Sequence, residues 1–215
     1  LRCLEMLPVG VALLRLAVLL GLAGTRAGIV FEGKSAFPED HPLALGSGGR
    51  AIPKPVHEFL QDADVILGIG CSFALTAFGV QMPKGKTIIH ATLDPMDLNK
   101  DVPAAHTMVG DAQLTLSVLS EVMSRLDRTS ADARENISQE ITATREVWLA
   151  DWMPKLTNNE APISPYRVLW ELNSIVDKAN TVITHDAGSP RDQITPFWVS
   201  TTPLSYIGWG KTTQL

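Results

Sequence analysis

Three short apolar segments within Val65–Asp111, each followed at once by glycine or aspartate, constrain the fold more than any other feature. The first ends in Gly68-Ile69-Gly70, the second in Asp94-Pro95 and the third in Gly110-Asp111. Strands that are buried on both faces of a parallel sheet are almost wholly apolar, and ligands bind at the carboxyl ends of such strands. The stretch therefore predicts a parallel sheet of the nucleotide-binding type.

Charge and cysteine content narrow the class of protein. The chain of 215 residues has a formal net charge of −5 and no basic block, so we expect no nucleic-acid partner. Its two cysteines, Cys3 and Cys71, lie far apart and form no C-x-x-C pair, which is typical of reduced thiols and predicts a cytoplasmic protein. Cysteine and histidine are nowhere spaced as in a zinc site, so we predict no metal ligand.

The N-terminal segment Pro8–Gly24 permits two interpretations. It reads either as the apolar part of a signal peptide or as a domain helix whose leucines face a sheet. Arg15 interrupts the apolar run, which is too short and too charged for a membrane span, so we expect no membrane partner. We favour the domain helix, because a sheet protein follows directly. Since the first residue is Leu1 and the end at Leu215 looks mid-element, we expect a piece of a longer polypeptide.

Strands and helices alternate along the rest of the chain. We predict strands at 28–31, 65–70, 87–93, within 102–109 and at 181–184, and helices at 52–62, 112–126 and 164–178. The Gly- and Pro-rich residues 32–50 are predicted to be a long loop, residues 128–161 a linker that contains helix, and residues 189–215 an aromatic-rich loop region. This order favours an α/β fold with a Rossmann-like, mostly parallel sheet, followed by a partial second α/β domain.

The ends of the first two predicted strands supply one candidate site. Gly68-Ile69-Gly70 is half of a dinucleotide-binding fingerprint, because Phe73 stands where the third glycine belongs. Asp94 ends the next strand, where an acid can accept hydrogen bonds from a ribose. Gly70 and Asp94 are therefore candidates for a nucleotide crevice. The alternatives are a tight turn at the glycines and a helix start at Asp94, with the aspartate as cap.

A second candidate site follows the strand at 181–184. The sequence there is Asp186-Ala187-Gly188-Ser189, and a glycine at a strand end lets a backbone amide approach an anion such as a diphosphate. A sharp turn is the alternative. His41, in PEDHPL, is either a general acid or base or a loop residue that holds local hydrogen bonds, and we favour the second.

In their order along the chain, these segments resemble the thiamine-diphosphate-dependent enzymes of the acetolactate synthase, pyruvate oxidase and benzoylformate decarboxylase type. GKSAFPEDHPLALG is similar to the family's G-K-G-x-x-P-E-x-H-P loop, ADVILGIGCSF to its A-D-x-x-L-x-x-G strand, and IIHATLDP to its I-x-I-D-x-D-P segment. VGDA matches its V-x-G-D-A. ISPYRVLWELNSIV and VITHDAG are similar to the first helix and strand of its diphosphate-binding domain.

The resemblance implies a central domain over residues 1–127, a linker over 128–161 and the start of the thiamine-diphosphate-binding domain over 162–215. It implies a fragment of a carboligase or decarboxylase acting on 2-oxo acids, whose full-length form binds thiamine diphosphate and Mg²⁺ as a homodimer or homotetramer. The family's activating glutamate and its G-D-G…Asn magnesium motif are not among these residues, so we expect no catalytic residue here and an inactive fragment. The alternative is a non-catalytic, Rossmann-like nucleotide-binding or assembly module.

Two departures from the family pattern bear on its cofactors. Ser72 and Thr76 stand where acetolactate synthases have arginines that contact a flavin, which argues against bound FAD. Where the family has D-x-G-Q/H-x, this chain has Gly188-Ser189-Pro190-Arg191. Ser189 and Arg191 remain able to hold a diphosphate, because arginine suits phosphate geometry. The resemblance thus implies a diphosphate site at Asp186, Gly188, Ser189 and Arg191.

Overall fold

A computed structural model describes residues 27–30, 33–48, 52–75, 81–126 and 131–208 of the chain. The predicted helix over Pro8–Gly24 and its signal-peptide alternative lie outside the described residues, as does Thr76. The strands are β1 (Ala27–Val30), β2 (Ala44–Gly48), β3 (Val65–Ile69), β4 (Thr87–Thr92), β5 (His106–Val109), β6 (Ile183–His185) and β7 (Tyr206–Gly208). The helices are α1 (Lys54–Asp62), α2 (Ala112–Leu126), α3 (Ala131–Leu156), α4 (Pro165–Ile175) and α5 (Ser189–Phe197), with 3-10 turns at Pro95–Asp97 and Lys178–Asn180.

All strand pairs among the described residues are parallel. β1 pairs with β2, β3-β4-β5 form a three-stranded sheet with β4 in the centre, and β6 pairs with β7. In the central sheet Ile69 lies opposite Ala91, so β3 and β4 end at the same edge. The predicted α/β fold with a mostly parallel sheet is confirmed.

Local sequence explains where the best-predicted helices begin. The Asp111 carboxylate accepts a hydrogen bond from the Leu114 amide at 2.9 Å, so Asp111 is the N-cap of the predicted helix α2. α4 begins at Pro165, as predicted, because proline needs no hydrogen-bond partner in the first turn. Ser164 contributes there through its carbonyl, which accepts from Arg167 and Val168, rather than through its side chain.

Helix α3 packs against α1 and β2 near its middle and against α5 farther along. It packs against α1 and β2 through Ile141, which is 1% exposed within the cluster of Phe37, Leu43, Ala44, Leu45, Val56 and Phe59. Farther along, Trp148 stacks on Phe197 of α5, with ring centroids 5.3 Å apart. The helix predicted within 128–161 is therefore present, and its burial comes from tertiary packing, because its apolar residues are too sparse to form a helical stripe.

Two regions predicted to be loops contain regular structure. Residues 44–48 form β2, although Ala-Leu-Gly-Ser-Gly has little intrinsic strand propensity; pairing with β1 and burial of Ser47 outweigh composition. Residues 189–197 form α5, because Pro190 occupies the first turn, where it is tolerated, and Pro196 falls only in the last turn. Residues 206–208 add β7.

Two further details differ from the prediction for α4. The helix ends at Ile175 rather than near Lys178, where a separate 3-10 turn begins. The apolar residues of this helix are spaced so that Val168, Leu169, Leu172 and Ile175 are all expected to be buried. Val168 and Ile175 are exposed, whereas Leu169 and Leu172 pack on the cluster of Ile183, Ile194, Trp198 and Tyr206. The described helix therefore has a narrower apolar face than the sequence indicated.

The pairing of β6 with β7 brings a histidine side chain close to a glycine. His185 of β6 lies opposite Gly208 of β7, and a Cβ added at Gly208 would come within 2.8 Å of the His185 imidazole. A side chain at position 208 would therefore require the imidazole to shift, which favours glycine in this pairing. Among the residues that the structure describes, none of the helices combines the length and apolar character that a membrane crossing requires.

We predict that Ile141→Ala lowers the free energy of unfolding by about 2–5 kcal/mol, because it leaves a cavity between α3 and the core. Val147→Ala on the same helix, at a side chain 60% exposed, is the control and should change it by less than about 0.5 kcal/mol. Urea denaturation of both variants measures the difference. Equal effects would contradict the placement of α3 in the core.

Candidate functional site

The glycine at the end of β3 has a packing role that the sequence did not reveal. A Cβ added at Gly68 would lie 2.3 Å from the Phe73 ring and 2.8 Å from the Cys71 sulfur. Phe73 folds back over Gly68 with a positive φ of 49°, and its ring meets His90 edge-on at 4.8 Å. The residue in place of the third fingerprint glycine thus fills the space beside the first one.

His90 and Cys71 complete this packed cluster. His90, on β4, is fully buried, and its Nε2 lies 2.6 Å from the Cys71 carbonyl oxygen, which fits an Nε2–H donor. Burial raises the pKa of the Cys71 thiol, which favours the protonated, weakly nucleophilic form. The cluster of Gly68, Cys71, Phe73 and His90 is therefore a folded strand end with no activated nucleophile.

Gly70 and Asp94 occupy the same edge of the central sheet. Gly70 adopts a φ of 66°, which explains the glycine, and its amide donates to the Ala91 carbonyl at 2.9 Å. Asp94 is exposed, and its carboxylate accepts from the Met96 amide at 2.9 Å at the start of the 3-10 turn. Aspartate as cap, one of the two interpretations, is confirmed; binding of a ribose at this edge stays a prediction.

The second candidate site is the turn between β6 and α5. The Asp186 carboxylate accepts from the Ala187 amide at 2.7 Å, and Gly188 follows with a φ of 78°, which strongly favours glycine. Gly188 and Ser189 are exposed at the start of α5, where Gly188 is the N-cap residue and contributes no side-chain cap. Arg191, in the first turn, is buried, and its Nε donates to the Asp192 carboxylate at 3.0 Å.

The structure does not bring the two candidate sites together on one sheet. Gly70 and Asp94 lie on the β3-β4-β5 sheet, whereas Asp186, Gly188, Ser189 and Arg191 follow the β6-β7 sheet. Within the described residues, no group of three or more histidine, cysteine, aspartate and glutamate side chains is arranged to hold a metal ion. The turn at residues 186–191 can offer an anion the backbone amides at the start of α5 and the positive charge of Arg191.

His41 forms the local hydrogen bond that the sequence analysis favoured. Its Nδ1 accepts from the Leu43 amide at 3.1 Å, which requires an unprotonated Nδ1. Partial burial lowers the pKa of His41 from its usual value, although Asp40 opposes the shift. The geometry assigns His41 to the turn before β2.

The most buried charged groups among the described residues carry no strong sequence signal. Lys34 and Glu39 are 4% and 2% exposed, and the Lys34 ammonium lies 2.6 Å from the Glu39 carboxylate. The pair connects the loop before β2 to the segment after α5, because the ammonium also donates to the Trp198 carbonyl at 2.7 Å. The only sequence signal was the position of both residues in GKSAFPED, which was interpreted as a loop motif.

Residues 13–119 of the chain match a protein-family model. They match the family described as thiamine pyrophosphate enzyme, central domain. This range contains the β3-β4-β5 sheet and most of α2.

Individual relatives match over more of the chain. It is 32% identical over 190 residues to the probable acetolactate synthase large subunit of Methanococcus aeolicus, covering 83% of this chain and 31% of the relative. It is 27% identical over 191 residues to the acetolactate synthase isozyme 3 large subunit of Escherichia coli, covering 83% and 32%. The sulfoacetaldehyde acetyltransferase of Roseovarius nubinhibens is 31% identical over 124 residues, covering 55% and 20%. The chain spans about a third of the length of the acetolactate synthase subunits that it matches.

We predict that Gly68→Ala costs about 1–3 kcal/mol of stability, because the new methyl group overlaps the Phe73 ring. In a Phe73→Ala background the same change should cost at least about 1 kcal/mol less, since the overlap with the ring is gone and only the close approach to the Cys71 sulfur is left. Gly110→Ala is the control: Gly110 directly follows β5, and its Cβ would make only an ordinary 3.5 Å contact. Urea denaturation of the four-member mutant cycle measures the coupling, and additive effects would rule out the packing role of Gly68.

We predict a pH dependence that belongs to His41. Because its pKa is lowered in the folded state, the unfolded chain binds more protons, and stability falls as the pH drops below the unfolded value of 6.5. His41→Asn can keep a hydrogen bond to the amide two residues on without titrating. From about pH 7.5 to about pH 5.5, wild type should therefore lose more stability than the variant in urea denaturation. Parallel curves would disprove the assignment.

Proposed function

Because the chain belongs to the thiamine pyrophosphate enzymes, we propose that it is part of an acetolactate synthase-like carboligase or decarboxylase of 2-oxo acids. The observation that carries the proposal is the similarity to acetolactate synthase large subunits over 83% of the chain. The cofactors of the whole enzyme are thiamine diphosphate and Mg²⁺. A transferase or lyase reaction in the cytoplasm by a homodimer or homotetramer is part of the proposal.

The proposed division of the chain is a central domain over residues 1–127, a linker over 128–161 and the start of the cofactor domain over 162–215. The family model supports the first part, since it matches residues 13–119. The order α4, β6, α5 supports the last part, because a strand followed by a glycine turn and a helix is the local architecture of a phosphate site.

The diphosphate is assigned to the turn at residues 186–191. Gly188 fits this role, because it is exposed and a Cβ placed on it would meet no atom of the described residues within 4 Å, which favours access of a ligand to the backbone. Ser189 follows at the start of α5, where backbone amides and the helix dipole favour an anion. Asp186 fixes the turn through the Ala187 amide, and Arg191 adds a positive charge that Asp192 partly offsets.

Thiamine diphosphate, when bound, supplies the carbanion chemistry, and the protein contributes binding and orientation. This chain's part is to hold the diphosphate at Gly188 and Ser189. We assign the Mg²⁺ to a G-D-G motif with a following asparagine, which these 215 residues do not contain, and we name no catalytic residue among them. The chain alone is therefore proposed to be inactive.

We propose that the edge at Gly70 and Asp94 is a vestigial nucleotide-binding crevice that does not bind FAD. Ser72, which replaces the first of the family's flavin-contacting arginines, has no positive charge, and its hydroxyl accepts from the Ala74 amide at 3.3 Å. The Phe73 ring packs on Gly68 at the same strand end. Both observations favour a structural role for this edge.

We predict that isothermal calorimetry of the 215-residue chain detects no saturable binding of thiamine diphosphate with Mg²⁺, because the proposed magnesium ligands are not in it. FAD under the same conditions should give no saturable heat. The matched sample is the product of the whole gene, which should bind thiamine diphosphate in a Mg²⁺-dependent manner. Tight binding by the chain would contradict the assignment of the metal site, and no binding by the whole product would favour the non-catalytic module.

A further inference from the structure

The buried ion pair Lys34–Glu39 lies far along the chain from the proposed diphosphate turn, yet its contacts lead to it. We propose that Lys34 and Glu39 are a positioning pair that sets the orientation of the turn at residues 186–191. This inference rests on the proposed function, because it takes that turn to be the diphosphate site. The motif that contains the pair has no other role in that function.

The Lys34 ammonium uses all three of its donors. Two contact the Glu39 carboxylate oxygens at 2.7 and 2.6 Å, and the third reaches the Trp198 carbonyl at 2.7 Å. The Tyr206 ring lies beneath the ammonium, 5.2 Å from its centroid. One cation therefore fixes three groups, two of which lie more than 160 residues farther along the chain.

The Glu39 carboxylate is equally well satisfied. It accepts from the Ser47 hydroxyl of β2 and from the Ser200 amide, the latter at 2.7 Å. The Glu39 amide in turn donates to the Ser200 carbonyl at 2.9 Å. Glu39 and Ser200 are thus joined by two hydrogen bonds, which hold the chain just beyond α5 against the loop before β2.

The segment after α5 that Lys34 and Glu39 hold is connected to both elements that flank the turn at residues 186–191. α5 ends where the Trp198 amide donates to the Ile194 carbonyl at 2.8 Å, so Lys34 anchors the carboxyl end of the helix whose amino end is Ser189. The Tyr206 hydroxyl lies 2.9 Å from that of Thr195 on α5, and Tyr206 begins β7, the partner of β6. The helix after the turn and the strand before it are therefore both connected to Lys34.

The energetics favour positioning over simple stabilisation. Burial lowers the pKa of Lys34, an effect that Glu39 opposes, so the pair offsets a desolvation penalty that apolar residues would not incur. Directional hydrogen bonds specify one position of the segment after α5, whereas apolar contacts would be compatible with several positions. A single substitution that leaves Lys34 or Glu39 unpaired would therefore disrupt this arrangement of the segment.

Amide hydrogen exchange of the 215-residue chain tests the coupling without any cofactor. In Lys34→Met we expect exchange at residues 186–195 to accelerate at least about tenfold, with β3-β5 unchanged. Lys54→Met, which removes an exposed ion pair with Glu58 at 3.7 Å, is the matched control and should change neither region. Equal acceleration in both regions, or none at 186–195, would overturn the proposal.

Two further samples keep the test decisive. If Lys34→Met does not fold, Lys34→Met/Glu39→Gln removes both charges and should fold while still accelerating exchange at 186–195. In the product of the whole gene, Lys34→Met should weaken thiamine diphosphate binding at least about tenfold and Lys54→Met should not. Coupling without that loss of affinity would refute positioning of the cofactor. Failure of wild type to bind the cofactor would instead refute the proposed function.

Discussion

A lysine and a glutamate withdrawn from water must satisfy each other and every remaining hydrogen-bonding position, and much of this structure is arranged to do so. The Lys34 ammonium donates to the Trp198 carbonyl after α5, and the Glu39 carboxylate accepts from the Ser47 hydroxyl of β2 and the Ser200 amide. A buried charge left unpaired costs several kcal/mol, roughly the margin by which a domain is stable, so these segments are constrained to meet. The short β1-β2 and β6-β7 sheets are thereby joined by polar contacts.

Residues whose local signals agree with their tertiary role were predictable. The apolar segments β3 and β4 and the capped helix α2 carry both propensity and pattern, and parallel pairing puts Gly70 and Asp94 at one edge. β2 was not predictable, because its small residues become a strand only through pairing and burial. α5 was hidden by two prolines that lie at tolerated positions. The Lys34–Glu39 pair depends on contacts across more than 160 residues, which no local pattern contains.

The two glycine turns serve the proposed enzyme in opposite ways. At the end of β3, Phe73 fills the space beside Gly68, so the central domain closes a strand end that in other nucleotide-binding sheets stays open. At the end of β6, a Cβ placed on Gly188 would meet no atom of the described residues within 4 Å, and Gly188 is exposed. A glycine motif therefore predicts a backbone conformation, while its neighbours decide whether a ligand or a side chain occupies the space.

The pairing of His185 with Gly208 has a consequence for the history of this chain. Because a Cβ at position 208 would come within 2.8 Å of the imidazole in its present position, substitutions at the two positions are not expected to be independent. A lineage can gain a side chain at 208 only after the residue at 185 has become smaller or has turned away. Across descendants of a common ancestor, the residues at the two positions are then expected to vary together, with large side chains at both positions avoided.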